Sequence, residues 1–599
     1  MRRTLTSVAA LAAVAALTVP AFAQSAAPTA EPVTLTVGMS YDLYTSNPLR
    51  ACGCGAEYEF LAINYDMLLA FDEQTLEAAP GLATEVPTKE NGGVSEDGMT
   101  YTFHIRNDAT WHDGTPVTSR DVAFTYRFAL DNRIGAYNNY LPYDPVFETP
   151  DDSTLVWTMN APSLSPVAPP FIPILPEHIW SRFDGNAKAG RQFENIPAIG
   201  SGPFQLVEWE EGRFWRVEAN EDYWGGPAKV DEIVFRAFDN PETMALALRD
   251  GEVDLVSGLP PNIARSLEGQ PDIAVHEAAG RTFLNFAFNF GGQNPAATNH
   301  PALDDLTVRT AIAHAIDKQA LVDKVLLGSG VPGTSVMPPS SPWHWQPAAD
   351  QEQPFDLDAA NSMLDDAGYL DTDGDGIREM PGGGEPLDLE IVAASSVVEA
   401  PATAKLIAGW LGEIGIDSQV KAVGDGAMNQ VWTRGTFDAY LWGWTPDPDP
   451  DFILSVFTTA QCGNWSDGCY SNPAYDELYT EQQQATSVED RRALVAEMQS
   501  FLYDDVAEVI LFYSADLEAY RTDTFTGYSP TPPPDGYMVF GYLPYPYMDI
   551  EPVSAADGST VSSGSEAIPL WVWGAAAVAT VAGVMLVSRA RRSREDERV

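Results

Sequence analysis

Residues 101–131, YTFHIRNDATWHDGTPVTSRDVAFTYRFALD, decide the fold class of this chain. Residues 101–106 alternate apolar and polar side chains, a pattern that predicts a β-strand. Residues 119–131 then place apolar side chains at helical spacing, and Ser119 is the predicted N-cap of that helix. A strand that leads through a turn into a helix is the repeating unit of α/β domains.

Further strand and helix signals follow in the same alternation. Residues 229–238 (KVDEIVFRAF) predict a strand, and residues 241–256 predict a helix, a glycine turn and a second strand. Residues 305–327 place apolar side chains on one helical face, so one long helix is expected there, ended by Gly328. The chain is therefore expected to consist of α/β lobes.

The N-terminus carries an export signal. Residues 1–23 combine two arginines, an Ala/Val/Leu-rich stretch and the small-x-small sequence Ala21-Phe22-Ala23, which predicts a secretory signal peptide cut before Gln24. No cysteine stands at this cleavage point, so a lipid-anchored lipoprotein is not expected. The remainder is expected to be extracytoplasmic, at the cell surface or in a periplasm.

An uncharged stretch near the C-terminus predicts an anchor in the cytoplasmic membrane. Residues 568–587 (IPLWVWGAAAVATVAGVMLV) contain no charged side chain, and about 20 apolar residues span a bilayer. We predict a transmembrane helix over residues 568–588, a linker over residues 552–567 and a cytoplasmic tail over residues 589–599, whose arginines fit the positive-inside rule. The alternative, a buried helix of the globular part, fits the flanking Ser/Gly-rich and arginine-rich segments less well.

The composition suits an exported, soluble ectodomain. The chain has 85 acidic and 33 basic residues, a formal net charge of -52, so nucleic acid is excluded as a partner by charge repulsion. Roughly 520 residues between the leader and the linker are too many for one core, so two or three domains are expected. A disulfide is predicted between Cys462 and Cys469. Cys52 and Cys54 are too close for an unstrained bridge and are expected to pair elsewhere or to bind metal.

Eight blocks of sequence occur in an order that resembles the family 5 extracellular solute-binding proteins, the peptide, nickel and opine receptors of ABC importers. The first block is residues 101–131, and the resemblance covers roughly residues 33–550. The other blocks are IGSGPFQLVEWEEG (199–212), ANEDYWGGPAKVDEIVFRAF (219–238), ALRDGEVDLV (247–256), VRTAIAHAIDKQALVDKVLLGSGVPGTSVMPP (308–339), GYLDTDGDGIRE (368–379), FDAYLWGWTPDPDPDF (437–452) and SNPAYDEL (471–478).

The resemblance implies an α/β protein with the type II periplasmic-binding-protein fold, two lobes plus an extra domain, followed here by the predicted transmembrane helix. Lobe I is expected from residues 33–57, 197–281 and 505–551, the extra domain from residues 58–196, and lobe II from residues 282–504. Ligand would lie between the lobes, whose closure an importer can sense.

The function implied is that of a substrate-binding protein of an ABC importer, a monomer that passes peptides to the transmembrane subunits of a permease. Three other ligands remain as alternatives: a nickel chelate, an opine or an oligosaccharide. An alternative function of a different kind is that of a surface or signalling ectodomain that takes no part in transport. We expect no enzyme and no required cofactor, since the chain has no HExxH helix, GxSxG elbow or P-loop.

The loop that follows LWGW carries the predicted ligand contacts. In the resembled family an aspartate of this loop pairs with the peptide ammonium, and Asp447 occupies that position in WTPD. Asp449 and Asp451 fit a second interpretation better, as caps of a helix that begins near Phe452. Trp442 and Trp444 share one face of a strand end and line either the ligand pocket or the core.

Three more aromatic residues are predicted to contact the substrate. Tyr41 and Tyr44 lie in YDLYTSNP, a segment that enters the cleft in the resembled family. Trp343 follows the PPSSP loop, which borders the cleft in the same proteins. The neighbouring His344 is more typical of a packing residue than of a metal ligand.

An Asp/Gly-rich segment predicts a structural calcium ion. Asp371, Asp373 and Asp375 have the spacing of the first three calcium ligands of an EF-hand loop, and the Ile377 carbonyl and Glu379 complete a shortened set. Position twelve of a full loop is a glycine here, so the segment is not a complete EF-hand. The alternative is an acidic surface turn.

Overall fold

A mixed β-sheet of eleven strands is the centre of the computed structural model, which describes residues 32–51, 56–134, 141, 143–168, 171–291, 299–539 and 541–553. Seven further strands form smaller sheets within the same residues. In chain order the strands are β1 (Thr34–Met39), β2 (Leu69–Phe71), β3 (Ala78–Pro80), β4 (Thr100–His104), β5 (Val146–Asp151), β6 (Thr154–Thr158), β7 (Phe204–Glu210), β8 (Phe214–Ala219), β9 (Glu232–Ala237), β10 (Leu255–Ser257), β11 (Ile273–Phe288), β12 (Gly330–Pro332), β13 (Asp388–Ala394), β14 (Asp417–Val423), β15 (Ala439–Trp444), β16 (Glu508–Arg521), β17 (Phe525–Thr526) and β18 (Glu551–Pro552).

Helices alternate with these strands. The α-helices of the described residues are α1 (Glu57–Asn64), α2 (Ser119–Asp131), α3 (Glu177–Trp180), α4 (Ala187–Gly190), α5 (Pro241–Asp250), α6 (Pro261–Leu267), α7 (Leu306–Ala315), α8 (Lys318–Lys324), α9 (Leu357–Asp366), α10 (Ala400–Glu413), α11 (Asp425–Arg434), α12 (Asp451–Ser455), α13 (Pro473–Gln483), α14 (Val488–Asp504) and α15 (Tyr545–Met548). Short 3-10 turns lie at Pro48–Arg50, Ser181–Phe183, Pro301–Asp304 and Thr459–Gln461.

Two long antiparallel strands, β11 and β16, join the two halves of the large sheet. The strand order is β14-β13-β15-β11-β16-β10-β1-β9-β8-β7, and β12 pairs with β16. On one side β1 pairs in parallel with β9 and β10, and on the other β13 pairs in parallel with β14 and β15. Register shifts between Ala278 and Thr282 and between Leu284 and Asn285 bend β11 at its centre.

The predicted limits of the lobes stay predictions. Strand β11 runs without interruption across the predicted limit between lobe I and lobe II, after residue 281. Within the predicted extra domain, β4, β6 and β5 form a three-stranded antiparallel sheet. Helix α2 packs on this sheet, where the Tyr126 and Trp157 rings lie 5.3 Å apart. These apolar contacts belong to a larger buried cluster, which also includes residues of β1, β7, β8 and β9.

Two local predictions were wrong. Helix α2 is capped by Thr118, not Ser119, because Thr118 is extended and forms a reciprocal capping box with Asp121. Residues 305–327 form two helices rather than one. The chain turns to an extended conformation at Ile316, and the Asp317 side chain caps the second helix by accepting a 2.9 Å hydrogen bond from the amide of Ala320.

Several predicted segments lie outside the described residues: the signal peptide (residues 1–23), the pair Cys52 and Cys54, most of the linker, the transmembrane helix (residues 568–588) and the cytoplasmic tail. Among the residues that the structure does describe, none of the helices has both the length and the apolar character needed to cross a membrane.

Candidate functional site

The Pro-rich loop, residues 445–450, connects strand β15 to helix α12. At its start the hydroxyls of Thr445 and Thr282 share a 2.7 Å hydrogen bond, which ties the loop to strand β11. Prolines 446, 448 and 450 fix their own φ angles and have no amide hydrogen to donate. The aspartates between them are therefore carried by stiff backbone.

Asp447 is held by a tyrosine from the C-terminal part of the described chain. The Tyr542 hydroxyl donates a 2.6 Å hydrogen bond to Oδ1 of Asp447. The Tyr542 ring also lies 5.3 Å from the Tyr58 ring and 5.0 Å from the Phe171 ring. Burial, and then the neighbouring Asp447 carboxylate, raise the pKa of Tyr542 well above its usual value, so the phenol keeps the proton that it donates.

Asp449 and Asp451 serve the architecture of the loop. The Arg491 guanidinium donates two hydrogen bonds to Asp449, of 2.6 and 2.8 Å, and both side chains are buried. Asp449 also accepts a 2.9 Å bond from the amide of Asp451, the first residue of helix α12. Asp451 itself accepts from the Tyr479 hydroxyl and the Gln482 amide, at 3.1 and 2.6 Å.

Trp442 and Trp444 are both half-buried and lie on one face of β15. The Trp444 indole donates a 2.8 Å hydrogen bond to Asp467, and its ring meets the Phe452 ring edge-on at 6.1 Å. Trp442 packs beside the buried Tyr440. These contacts are structural, and the predicted role of the two tryptophans in binding ligand stays a prediction.

Tyr41 and Glu59 form a hydrogen-bonded pair, and the Glu59 carboxyl lies next to Gly541, the residue before Tyr542. The Tyr41 hydroxyl lies 3.3 Å from Oε1 of Glu59. The Tyr41 side chain as a whole is 37% exposed, and burial, followed by the neighbouring Glu59, raises its pKa well above the usual value. Tyr44 is 56% exposed and lies under Arg50, whose guanidinium carbon is 5.6 Å from the ring centre.

Sequence reasoning missed Arg281, Glu59 and Tyr542. The Arg281 guanidinium carbon lies 4.5 Å from the Tyr537 ring centre and 5.3 Å from that of Tyr542. We call Tyr41, Tyr58, Glu59, Arg281, Asp447 and Tyr542 the Tyr542 site. The only sequence signal for its C-terminal part was the aromatic-rich segment GYLPYPYM, residues 541–548.

The Tyr542 site combines aromatic faces with two acidic side chains, Asp447 and Glu59, and one cation, Arg281. Burial raises the pKa of Glu59 to about 7. Asp447 is half-buried and presents a carboxylate between rings. Such a site suits an organic ligand with a cationic group, because a carboxylate in partly dry surroundings forms a strong charge-assisted hydrogen bond.

Trp343, which follows the PPSSP loop, is held by residues of helix α14. Its carbonyl accepts a 2.8 Å hydrogen bond from the Gln499 side chain, and Arg491 and Arg492 lie 5.1 and 5.5 Å from its ring centre. His344 bonds through Nδ1 to the Met337 carbonyl at 2.7 Å, which agrees with a packing role.

A second buried polar cluster lies under β15 and was also missed. The Asn285 side-chain amide donates to Asp467 at 2.9 Å and to Glu508 at 2.6 Å. The Tyr440 hydroxyl donates a third bond, of 2.5 Å, to Asp467. Burial and the neighbouring Asp467 raise the pKa of Glu508 well above its usual value. The cluster supports the strand from which the Pro-rich loop begins.

The predicted calcium ligands converge. Carboxylate oxygens of Asp371, Asp373, Asp375 and Glu379 lie within 4.8 Å of one another. The loop is closed by its own backbone: Asp371 accepts bonds from the amides of Gly374 and Gly376, at 2.7 and 3.0 Å. Glu379 is buried and accepts from Thr372, at 2.8 Å from the amide and 2.7 Å from the hydroxyl. Hard oxygen ligands of this kind suit Ca²⁺.

Cys462 and Cys469 form a disulfide in the structure, with sulfurs 2.03 Å apart. It closes the loop that carries Asp467, the acceptor of the Trp444 bond. The disulfide therefore restrains Asp467, to which Trp444 of strand β15 is hydrogen-bonded.

Comparison with known proteins agrees with this architecture. Residues 77–465 match the family described as bacterial extracellular solute-binding proteins, family 5 Middle. Protein XP55 of Streptomyces lividans is 30% identical over 478 residues, which cover 79% of this chain and 82% of that protein. The dipeptide-binding protein of Escherichia coli strain K12 is 26% identical over 520 residues, 81% of this chain and 89% of that protein.

A solved structure shows the same fold. The oligopeptide-binding protein AppA of Bacillus subtilis, in complex with a nonapeptide, superposes with a TM-score of 0.70 at 21% identity and covers 88% of this chain and 100% of its own. The predicted α/β class and the fold of periplasmic binding proteins are thereby confirmed.

Proposed function

Since this chain belongs to the bacterial extracellular solute-binding proteins of family 5, we propose that it captures short peptides between its lobes and delivers them to the permease of an ABC importer. Members of this family are solute receptors rather than enzymes, and they work outside the cytoplasm. Relatives named as dipeptide-binding and peptide-binding proteins support peptides as the ligand class. We assign the chain no catalytic role, and we propose that it acts as a monomer.

The Asp447 carboxylate is the observation that carries the peptide proposal. It lies on a stiff loop within hydrogen-bonding distance of Tyr542, among aromatic rings. A peptide ammonium that reaches this carboxylate gains a charge-assisted hydrogen bond. Tyr41, Tyr44, Trp442 and Trp444 are proposed to line the path to it, and the long strands β11 and β16 are proposed to bend as the lobes close.

Calorimetry on the ectodomain tests the proposal. We expect di- or tripeptides with a free N-terminus to bind, and the same peptides with an acetylated N-terminus to bind at least about tenfold more weakly, because acetylation removes the ammonium charge. Asp447→Asn should lower the affinity for the free peptides and should leave that for acetylated peptides unchanged. Asp184→Asn, an exposed carboxylate outside the Tyr542 site, is the matched control.

Two results contradict the proposal. If no peptide binds, peptides are not the ligand, and native mass spectrometry of the protein purified from its own organism should instead reveal a bound solute. If peptides bind but Asp447→Asn binds free and acetylated peptides as the parent does, the ammonium is recognised elsewhere.

The membrane anchor and the calcium ion complete the proposal. Residues 568–588 are proposed to hold the receptor at the cytoplasmic membrane, supported by their length without charge and the arginines that follow. Removal of residues 568–599 should release the protein into the soluble extracytoplasmic fraction; membrane retention of that variant would exclude this anchor. Calcium is proposed as a structural ion at Asp371, Asp373, Asp375, Ile377 and Glu379.

A further inference from the structure

A cavity of about 640 Å³ lies beside the Pro-rich loop and is separate from the carboxylate of Asp447. Pro448 and Asp449 line it, together with some of the residues of segments 71–101 and 164–168 and with the first turn of helix α14. This volume is within the range of pockets that bind small organic ligands, about 300–1,000 Å³. The cavity plays no part in the contacts of Asp447 described above.

The walls of the cavity are mainly apolar. Phe71, Leu76, Val94, Leu164, Trp343 and Val488 contribute to them. The charged residues of the lining balance one another: three cations (Lys89, Arg491 and Arg492) face three carboxylates (Glu77, Glu90 and Asp449). Arg491 is paired with Asp449, and Arg492 lies 3.4 Å from Glu77. The cavity therefore suits an uncharged, apolar group.

The Trp343 wall is fixed before any ligand arrives. The Gln499 side chain holds the Trp343 carbonyl at 2.8 Å, and the Arg491 guanidinium lies 5.1 Å from the ring centre. Arg491 is in turn held by its two bonds to Asp449. A rigid aromatic wall binds an apolar group without first losing rotamer freedom.

The cavity is also close to the Tyr542 site. Pro448 in its lining directly follows Asp447, and consecutive Cα atoms are about 3.8 Å apart. Phe71 in its lining lies with its ring 6.3 Å from the Tyr542 ring. A ligand whose ammonium bonds to Asp447 can therefore place a neighbouring side chain in the cavity.

We propose that this cavity is a specificity subsite that receives one apolar side chain of the bound peptide, with Phe71 and Trp343 as its walls. The inference rests on the proposed peptide function and adds a preference to it. It predicts that the receptor distinguishes peptides by the apolar size of a side chain near the N-terminus.

Calorimetry with trialanine and the three tripeptides that carry one phenylalanine tests this. In the parent, phenylalanine at one position should raise the affinity about tenfold or more over trialanine, because an aromatic side chain leaves water. Ala168→Trp, which fills the cavity from its half-exposed wall, should abolish that gain and leave trialanine binding unchanged. Val488→Trp fills the cavity from helix α14 and should also abolish the gain. Ala187→Trp, which lies outside the lining, should leave the gain unchanged.

The outcomes separate the two proposals. If trialanine binds but no position favours phenylalanine, or if the gain survives both Ala168→Trp and Val488→Trp in folded proteins, the subsite is excluded while peptide binding stands. If none of the four peptides binds the parent, the peptide function is excluded and the subsite with it. Thermal melting of each variant shows that it is folded, and either cavity-filling variant alone decides the question.

Discussion

Tyr542 donates a 2.6 Å hydrogen bond to Asp447, although 95 residues separate them in the chain. The bond orients the carboxylate that we propose for the peptide ammonium. Tyr542→Phe keeps the ring contacts and removes only the donor. We expect it to lower peptide affinity by about three- to tenfold, since one hydrogen bond contributes about 1 kcal/mol, and to do less damage than Asp447→Asn. Calorimetry with one tripeptide measures both variants.

Tyr528→Phe is the matched control, because it removes a tyrosine hydroxyl from another part of the same segment, where that group contacts the Asp254 carbonyl at 3.4 Å. If Tyr542→Phe binds as tightly as the parent, the tyrosine does not position Asp447.

Arg491 and Asp449 form the buried ion pair of the Pro-rich loop, with bonds of 2.6 and 2.8 Å. Arg491→Met leaves a buried carboxylate without its cation and should destabilise the protein by about 3–5 kcal/mol. Denaturant unfolding of the ectodomain measures this. The double variant Arg491→Met with Asp449→Asn should recover part of the lost stability, because it no longer buries a carboxylate without a cation.

Arg492→Met provides the comparison for this pair. Arg492 is 47% exposed and its partner Glu77 is 60% exposed, so its removal should cost no more than about 1 kcal/mol. Equal losses for Arg491→Met and Arg492→Met would contradict the structural role given to the buried pair.

The alternation of strands and helices could be predicted from the sequence, because the buried face of each element places its apolar side chains at the spacing of a helix or a strand. The break at Ile316 and Asp317 was not, since the apolar face continues through it, while the backbone becomes extended at Ile316 and the Asp317 side chain caps a second helix. Asp447 was predicted by resemblance, but Tyr542 was not, because a contact across 95 residues leaves no local pattern. The contact between Asp449 and Arg491 could not be predicted for the same reason, since the two residues are 42 positions apart in the chain.

Glu59 predicts a pH dependence of stability. Its pKa is raised from 4.5 to about 7 by burial, so the folded state keeps a proton that the unfolded state has lost between these pH values. Stability therefore falls as pH rises from about 4.5 to 7, by about 1.4 kcal/mol per pH unit, and levels off above that. Below pH 4.5 Glu59 is protonated in both the folded and the unfolded state, so it no longer makes stability depend on pH.

The Glu59→Gln variant has no carboxyl at this position and should lack this fall in stability with rising pH. Its stability relative to the parent should increase by about 3 kcal/mol between pH 4.5 and pH 8. Denaturant unfolding of both proteins across that range measures the difference, which cancels the titration of all other groups. Glu221→Gln, an exposed carboxylate, is the control. A difference that is constant with pH would show that Glu59 ionises normally in the folded protein.

Calcium should stabilise the protein through the loop of Asp371, Asp373 and Asp375, whose oxygens converge with those of Glu379 within 4.8 Å. An ion that binds only the folded state stabilises it by about 2.7 kcal/mol at one hundred times its dissociation constant. We expect the melting temperature to rise from EGTA to millimolar Ca²⁺, and the rise to disappear in Asp373→Asn and to persist in Asp417→Asn, an exposed aspartate on strand β14. Because Glu379 is bonded to Thr372 within the loop, removal of the ion should lower stability without loss of structure. Identical melting in EGTA and in Ca²⁺ would show that these carboxylates form an acidic turn and bind no ion.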